Sequence, residues 1–496
     1  MRGADVTGEP SDAERIVIVG NGMAAVRLVE SLVARVSTGS TTGAGSTSAA
    51  PRITVLGEER HAPYNRILLS AVLEGTHRPE AITLRSQAWY ADNGVDLRLG
   101  TRVVDIHREE REVELADRSR VPYDRLVLAT GSIPTLPPIR GLVQLDGRLH
   151  EKVHAFRSLD DCTRLLEAVP TARRAVVVGG GLLGLQVARA LSIRGVETEI
   201  VEGAEHLLRS HVDAQAGAML KRSLKQLGTT VYTGARAVRM TEDGLRLDNG
   251  FTLDTDLIVL TAGGRPSINL ARRCGIATRR GVIVDETLAS VDDDRIHAIG
   301  DCAEVVLADG QGRTTGFVPP AWEQATLLAA RLLGAEATYT GHKLVARLRA
   351  TGLDVAVLGD PADTVGATED ADGAVVQVAN PVTGSLRKLV VRDGVIVAAT
   401  LVGDLSRIGL ITQAYDRGTV LGPDEPGQLL MGFARESAGA AELPDDAEVC
   451  ACAGVSAGRI RGCSSLADVR ERTRATTGCG GCTSAVTALL GAGVGV

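Results

Sequence analysis

Two stretches of the chain share one pattern: a run of aliphatic residues without polar alternation, a glycine-rich turn, then apolar positions at helical spacing. The first is Arg15-Ile-Val-Ile-Val-Gly-Asn-Gly-Met-Ala-Ala25 and the second is Ala175-Val-Val-Val-Gly-Gly-Gly-Leu-Leu-Gly184. A strand that is apolar on both faces belongs inside a parallel sheet covered by helices. Both segments therefore read as the first strand and helix of a doubly wound α/β sheet. Residues 52–56 supply a companion strand, and strand patterns broken by turn signals fill residues 95–128 and 229–260, as in a β-meander crossing over in each domain. Farther on, Lys388-Leu-Val-Val-Arg-Asp-Gly-Val-Ile-Val397 alternates around Asp-Gly, which predicts a hairpin in a separate α+β domain.

Length and composition limit this picture. A chain of 496 residues exceeds one hydrophobic core. Roughly three or four compact units are expected. Aromatic residues are only 2% of the chain, so aliphatic packing must carry the cores. The net charge of −7 and the lack of a basic stripe argue against a nucleic-acid or anionic-membrane partner. Residues 1–14 carry acids and no cationic start before an apolar stretch, and no apolar run approaches bilayer length, so a cytoplasmic location is expected. Residues 37–50 are almost wholly Ser, Thr, Gly and Ala and read as a flexible surface insertion.

The glycines carry the first chemical expectation. Gly20, Gly22 and Ala25 form GxGxxA, and Gly179, Gly181 and Gly184 form GxGxxG. Small residues at these places let the backbone approach a pyrophosphate, while the helix start offers N–H groups and the positive end of its dipole. An acid at the end of the next strand then holds a ribose diol. Glu202 ends such a strand at the expected interval from the second motif. Glu58 and Glu59 stand farther from Gly20 than the usual interval of about 20 residues, until residues 37–50 are set aside. Glu202 would repel a 2′-phosphate, which favours NADH over NADPH, although Arg209 follows closely enough to compensate. Taken singly, either motif is also compatible with glycines that merely permit a tight turn.

Two further strand ends, Leu126-Val-Leu-Ala-Thr-Gly131 and Ile296-His-Ala-Ile-Gly-Asp301, complete a set of four ordered motifs. With these the chain resembles, from about Arg15 to Leu333, the two-dinucleotide-binding-domain flavoproteins. The resemblance implies two Rossmann-like domains, the NAD domain inserted in the FAD domain. It implies FAD contacts from Gly20, Gly22, Met23, Ala24, Ala25, Glu58, Glu59, Val103, Ala129, Thr130, Gly131 and Asp301, with Trp322 beside the flavin ring. It implies NAD contacts from Gly179, Gly181, Leu183, Gly184, Glu202 and Gly263, the last near the nicotinamide. By itself Asp301 would be read as a turn or cap aspartate.

Many members of that family carry a redox cysteine pair beside the flavin, but this chain has no cysteine before Cys162. Disulfide-reductase and single-cysteine peroxide- or oxygen-reductase readings lose their nucleophile. The corresponding segment, Pro63-Tyr-Asn-Arg-Ile-Leu-Leu-Ser70, is similar to the flavin-contacting segment of ferredoxin-reductase-like and nitrite-reductase-like members. Ala71 stands where those ferredoxin reductases usually have a lysine, which leans toward the nitrite-reductase-like branch. Arg66 is expected near the flavin or pyrophosphate, the alternative being a surface salt-bridging arginine. No side chain is expected to act as catalyst, since the chemistry belongs to the flavin.

Five of the eight cysteines crowd the end of the chain, and clustering of this kind in a cytosolic protein points to a metal. Cys450-Ala-Cys452 and Cys479-Gly-Gly-Cys482 supply two thiolate pairs, similar to the 2Fe-2S domain of bacterioferritin-associated ferredoxin. Two cysteine pairs also suit structural zinc, but zinc cannot take single electrons from a flavin whereas a cluster can. The stretch 453–478 is shorter than in typical members of that domain and contains Cys463, read as a small buried apolar residue rather than a ligand. Cys302, with no adjacent base, is likewise read as core packing.

The whole resembles the electron-transfer subunits of assimilatory nitrate reductases and the N-terminal part of the nitrite reductase large subunits. That likeness implies hydride passing from NADH to FAD, then single electrons passing through the 2Fe-2S cluster to a partner. The implied partner is a molybdenum-containing nitrate reductase catalytic subunit or another redox acceptor protein. Nitrite reductases continue into a sirohaem and 4Fe-4S region that needs further cysteines, so electrons are expected to leave this chain for another protein. The alternative is a stand-alone NADH oxidase or diaphorase, or a ferredoxin- or rubredoxin-type reductase, with a structural metal module. The expected organisation is FAD domain 12–152 and 269–334, NAD domain 153–268, α+β domain 335–435, linker 436–447 and a small helical 2Fe-2S domain 448–492. The α+β domain resembles the interface region of some relatives, which leaves an oligomer open.

Overall fold

A computed structural model describes residues 13–38, 50–350, 352–360, 363, 373–431, 443–450, 453–477 and 482–492. The chain divides into two compact units: residues 1–64, 83–132 and 266–341 form one, and residues 65–82, 133–265 and 342–496 form the other.

The first unit is built around the strand Arg15–Val19, whose Ile16, Val17 and Ile18 are shut off from solvent because both sheet faces are covered. It pairs in parallel with Arg52–Leu56 on one side and Arg125–Leu128 on the other. Asp96–Arg98 and Asp293–Ala298 extend the parallel order outward, and the complete sheet has nine strands. The helices Met23–Ser37 and Val318–Leu332 pack together and send Leu28, Val29, Leu32, Ala325, Leu328 and Ala329 into one core. The first helix runs through Ser37, the first residue of the low-complexity stretch. Its C-terminal turn is closed by the Thr38 hydroxyl, which donates to the Ala34 carbonyl at 3.0 Å. The rest of that stretch, residues 39–49, lies outside the described residues. Strands Val103–His107, Glu112–Leu115 and Arg120–Pro122 form the expected antiparallel meander.

The second unit repeats the scheme. Arg174–Val178 lies between Glu197–Glu202 and Leu257–Leu260, all parallel, with Thr229–Thr233 and Val153–Ala155 outside them. Its meander is Ala237–Met240, Gly244–Leu247 and Thr252–Asp254. Residues 65–82 belong to this unit: the helix Leu69–Glu74 packs on Leu182–Ile193 and Leu159–Ala168, and Arg194 donates to the Leu73 carbonyl.

Five antiparallel strands follow in the spatial order Val345–Ala350, Leu353–Leu358, Val395–Val402, Ser385–Arg392, Ala374–Asn380. The predicted hairpin is present. Asp393 and Gly394 take φ of 53° and 76°, the two positive values that a tight turn matching the strand twist requires. Lys388, buried in this sheet, donates to Asp213 at 2.9 Å, and Asp213 also caps the helix Ala214–Gln226. At the C-terminal end Glu448–Cys450 pairs with Val455–Ser456, and helices Ala457–Arg461, Leu466–Thr473 and Thr483–Ala492 close over a core of Val455, Ile460, Val469 and Val486. No described helix is long and apolar enough to cross a membrane.

Candidate functional site

In the first unit the glycine-rich turn is fastened to both neighbouring strands. Gly20 donates to the Leu56 carbonyl at 2.8 Å, and Ala129 donates to the Val19 carbonyl at 2.8 Å. Gly20 has φ +111°, and a Cβ there would lie 2.2 Å from the Ala129 oxygen, so no side chain fits. Around the corresponding position at Gly22 there is nothing within 4 Å, which leaves open space where the helix Met23–Ser37 begins without a side-chain cap. Between the two glycines, the Asn21 Nδ2 is buried with no acceptor, while its Oδ1 faces the Tyr90 hydroxyl at 3.5 Å. A buried amide donor beside uncapped helix N–H groups fits a phosphate- and ribose-bearing cofactor.

The other members of the first constellation converge on this turn. Gly300 has φ +72°, and its Cβ position lies 3.0 Å from the Ala24 side chain, which brings the Gly300–Cys302 turn against the helix start. Asp301, in that turn, accepts from the Ser132 hydroxyl at 2.8 Å. Ser132 directly follows Ala129, Thr130 and Gly131, and the Thr130 hydroxyl donates to the Ser267 carbonyl at 2.8 Å. Trp322 is buried and its indole N–H donates to the Met23 carbonyl at 3.2 Å, so it anchors the helix start. Glu59 accepts from the Tyr64 hydroxyl at 2.6 Å, whereas Glu58 is exposed and lies 3.6 Å from Arg102. Val103 is buried at the start of the meander.

The second turn has the same construction. Gly179 has φ +119° and would place a Cβ 2.6 Å from the Thr261 oxygen; Gly181 again has open space. A Cβ on Gly184 would lie 1.9 Å from the Gly179 oxygen, so the helix Leu182–Ile193 rests directly on the turn, with Leu183 in its first turn. Glu202 closes its strand with both carboxylate oxygens held: one accepts from Gly180 N–H at 2.6 Å and the other from Ala204 N–H at 2.7 Å. Arg209 is exposed. Gly263 has φ +91° with open space at its Cβ position. The pattern fits a nicotinamide dinucleotide.

Arg66 starts the short helical turn Arg66–Leu68 and donates to the Arg157 carbonyl at 3.1 Å, within the second unit. The scattered cysteines are set in packing. Burial pushes the Cys162 thiol up to about 11, and it donates to the Leu69 carbonyl at 3.6 Å. Burial and Asp105 push Cys274 up to about 11 as well. Cys302 is shut off from solvent, its thiol raised by burial and donating to the Leu128 and Ile299 carbonyls at 3.3 Å. Such thiols stay protonated and make poor nucleophiles.

At the C-terminal end Cys450 and Cys482 are both buried, and their thiols share a hydrogen bond. That bond, with burial, raises the Cys450 thiol well above its ordinary range, because two thiolates cannot be held together in an apolar core without a cation. Thr476 N–H donates to Cys482 Sγ at 3.2 Å. The donor set fits a thiolate-bound metal centre. Cys452 and Cys479 lie outside the described residues. Cys463 packs in the same core, its thiol donating to the Arg459 carbonyl at 3.4 Å.

Several residues escaped sequence reasoning. Asn21 and Ser132 are adjacent to motif residues, and that adjacency was a usable signal. Gln324, whose Oε1 accepts from Gly300 N–H at 2.8 Å, carried none, since its partner stands in another segment. Thr476, whose N–H donates to Cys482 Sγ, lies close to the second cysteine pair but is of a residue type that does not announce a backbone donor.

Comparison with known proteins agrees with this geometry. The sequence model of the pyridine nucleotide-disulphide oxidoreductase family matches residues 14–325, and that of the BFD-like [2Fe-2S] binding domain matches residues 448–492. The chain is 32% identical to the nitrite reductase (NADH) large subunit of Escherichia coli (strain K12), over 96% of this chain and 55% of that protein. It is 30% identical to the assimilatory nitrate reductase electron transfer subunit of Bacillus subtilis (strain 168), over 96% of this chain and 59% of that one. The chain thus spans little more than half the length of these relatives. Among solved structures, the ferredoxin reductase for the CYP199A2 system from Rhodopseudomonas palustris superposes with a TM-score of 0.68 at 26% identity, over 79% of this chain and 91% of that chain. FAD and NAD(P)H are the cofactors these matches imply for the two nucleotide folds, and a 2Fe-2S cluster is the one they imply for the cysteine segment. The chain belongs to the pyridine nucleotide-disulphide oxidoreductase family and carries a BFD-like [2Fe-2S] binding domain at its C-terminal end.

Proposed function

We propose that this chain is an NADH-dependent electron-transfer reductase that moves electrons from NADH through FAD and its 2Fe-2S cluster to a separate catalytic protein. The acceptor in this reading is the molybdenum-containing subunit of an assimilatory nitrate reductase, or a nitrite reductase. One observation carries it: buried Cys450 and Cys482 are paired in a chain whose cysteines outside the C-terminal segment are all set in packing. Bound FAD accepts electrons in pairs and releases them singly, and a cluster carries them one at a time.

The chain's own residues supply placement. Gly20, Gly22, Asn21 and the start of Met23–Ser37 would bind the FAD pyrophosphate, with Asp301 oriented by Ser132 on the chain that links it to the flavin. Gly179, Gly181 and Gly184 would bind the nicotinamide cofactor, and a Glu202 carboxylate fixed by two N–H groups supports NADH over NADPH, because a 2′-phosphate would meet a held negative charge. Cys450, Cys452, Cys479 and Cys482 would hold the cluster. A reducing cytoplasm suits cysteines that ligate a cluster rather than form disulfides. The similarity to both nitrate and nitrite reductase components supports nitrogen oxyanion reduction as the destination.

Cys482→Ser tests the reading. NADH should still bleach the flavin at the wild-type rate, while reduction of the partner enzyme should stop. Undiminished electron delivery to the partner would reject the relay.

A further inference from the structure

Asn65 is 1% exposed, and four of its polar groups are engaged. Three bonds stay within the segment 65–82. Its N–H donates to the Ile82 carbonyl at 2.8 Å, its carbonyl accepts from Leu68 N–H at 3.2 Å, and its Oδ1 caps the Arg66–Leu68 turn by accepting from Ile67 N–H at 3.0 Å. The fourth is not local: its Nδ2 donates to the Thr477 carbonyl, 412 residues away.

Thr477 closes an unusual loop. Arg474 and Thr476 take φ of 65° and 68°, a conformation that non-glycine residues hold only when their surroundings impose it. That conformation presents the Thr476 N–H to Cys482 Sγ at 3.2 Å. Within the loop, Thr477 N–H and hydroxyl both bond the Arg474 carbonyl, at 3.3 and 2.8 Å. Outside the loop, Asn65 holds the Thr477 carbonyl.

We propose that Asn65 is a positioning residue for the cluster: its carboxamide anchors the Thr477 carbonyl and so keeps the Thr476 N–H aimed at Cys482 Sγ. This inference rests on the cluster reading above. An N–H donor on a ligating sulfur stabilises the more negative, reduced state and raises the potential. The same bond ties the chain segment that directly follows Tyr64 to the loop before the second cysteine pair.

The two jobs of the side chain separate chemically. Asn65→Asp keeps an acceptor for Ile67 N–H but sets an oxygen against the Thr477 carbonyl. Asn65→Ser keeps a shorter capping oxygen, does not reach Thr477 and adds no charge. The full-length, cluster-loaded protein would be titrated electrochemically, with the reduced cluster followed by electron paramagnetic resonance. Amide hydrogen exchange would be measured on peptides covering residues 470–477. In both variants the cluster potential should become more negative, and the Thr476 and Thr477 amides should exchange about tenfold faster, as expected for one lost hydrogen bond. Wild-type potential together with wild-type exchange in both variants would overturn the inference. A wild-type protein with no 2Fe-2S signal would instead reject the underlying cluster reading, and the exchange comparison, which needs no cluster, would still decide whether Asn65 holds the loop.

Discussion

Gly20 and Gly179 occupy the same place in two different sheets, each at positive φ and each below a carbonyl oxygen of the neighbouring strand, from Ala129 and Thr261. Gly22 and Gly181 both face open space. The turns part company at the third position. Ala25 carries a Cβ inside the first core, whereas a Cβ on Gly184 would strike the Gly179 oxygen at 1.9 Å. They part again at the acid. Glu202 is clamped by Gly180 and Ala204 N–H, while Glu58 is exposed and Glu59 is taken up by Tyr64. Glycine letters in such a motif thus record how closely two backbones approach, and the standing of the acid is decided by neighbours that the motif does not contain.

The sharpest way to break this comparison is Gly184→Ala. The added methyl would meet the Gly179 carbonyl oxygen at 1.9 Å and the Thr261 hydroxyl oxygen at 2.8 Å, so the variant should lose about 3 kcal/mol or more, seen as earlier unfolding in denaturant, together with slower bleaching of the flavin by NADH. A variant as stable as the wild type would mean that the two turns are equivalent after all.

The last parallel strand on the corresponding side of each sheet sharpens it next. His297 in Asp293–Ala298 is buried, and burial pushes it down to about 4, whereas His154 in Val153–Ala155 is half-buried and lowered by the same cause. An unfolded histidine titrates near 6.5, so between these values the unfolded chain binds the extra proton. The contribution of neutral His297 is therefore complete above about pH 6.5 and is lost as pH falls toward 4, by up to about 3 kcal/mol. His297→Leu should flatten this part of the stability profile measured by denaturant titration at stepped pH. An unchanged slope would count against it.

Smaller effects are expected at the acid and at the third position. Glu202→Gln should raise the KM for NADH about tenfold with little change in kcat and should narrow the preference over NADPH, checked by steady-state kinetics with both cofactors. Ala25→Gly should cost about 1–2 kcal/mol, from the helix-propensity difference and the loss of one buried methyl from the first core, with no backbone clash in either direction.

Much of the fold was legible because its signals are local. Unbroken Val/Ile runs announced both central strands, and Asp393-Gly394 announced its hairpin through two residues able to take positive φ. The cysteine-rich end was legible by residue type, and the scattered thiols are buried at Cys162 and Cys302 and half-buried at Cys274. Other features had no local signal. Residues 65–82 read as a continuation of the first nucleotide fold, yet their helix Leu69–Glu74 packs with the second, through Cys162 and Arg194. Lys388 found its carboxylate at Asp213, 175 residues away, and Asn65 found Thr477 across 412.

The sequence by itself determined where the chain must bend tightly, which strands are buried on both faces and which residues can ligate metal, because sterics and side-chain chemistry act within a few residues. Tertiary structure alone decided which acid is clamped, which histidine is dry and which amide reaches the cysteine loop. Those outcomes depend on register and packing between segments far apart in the chain, where a shift of one residue would pair different atoms.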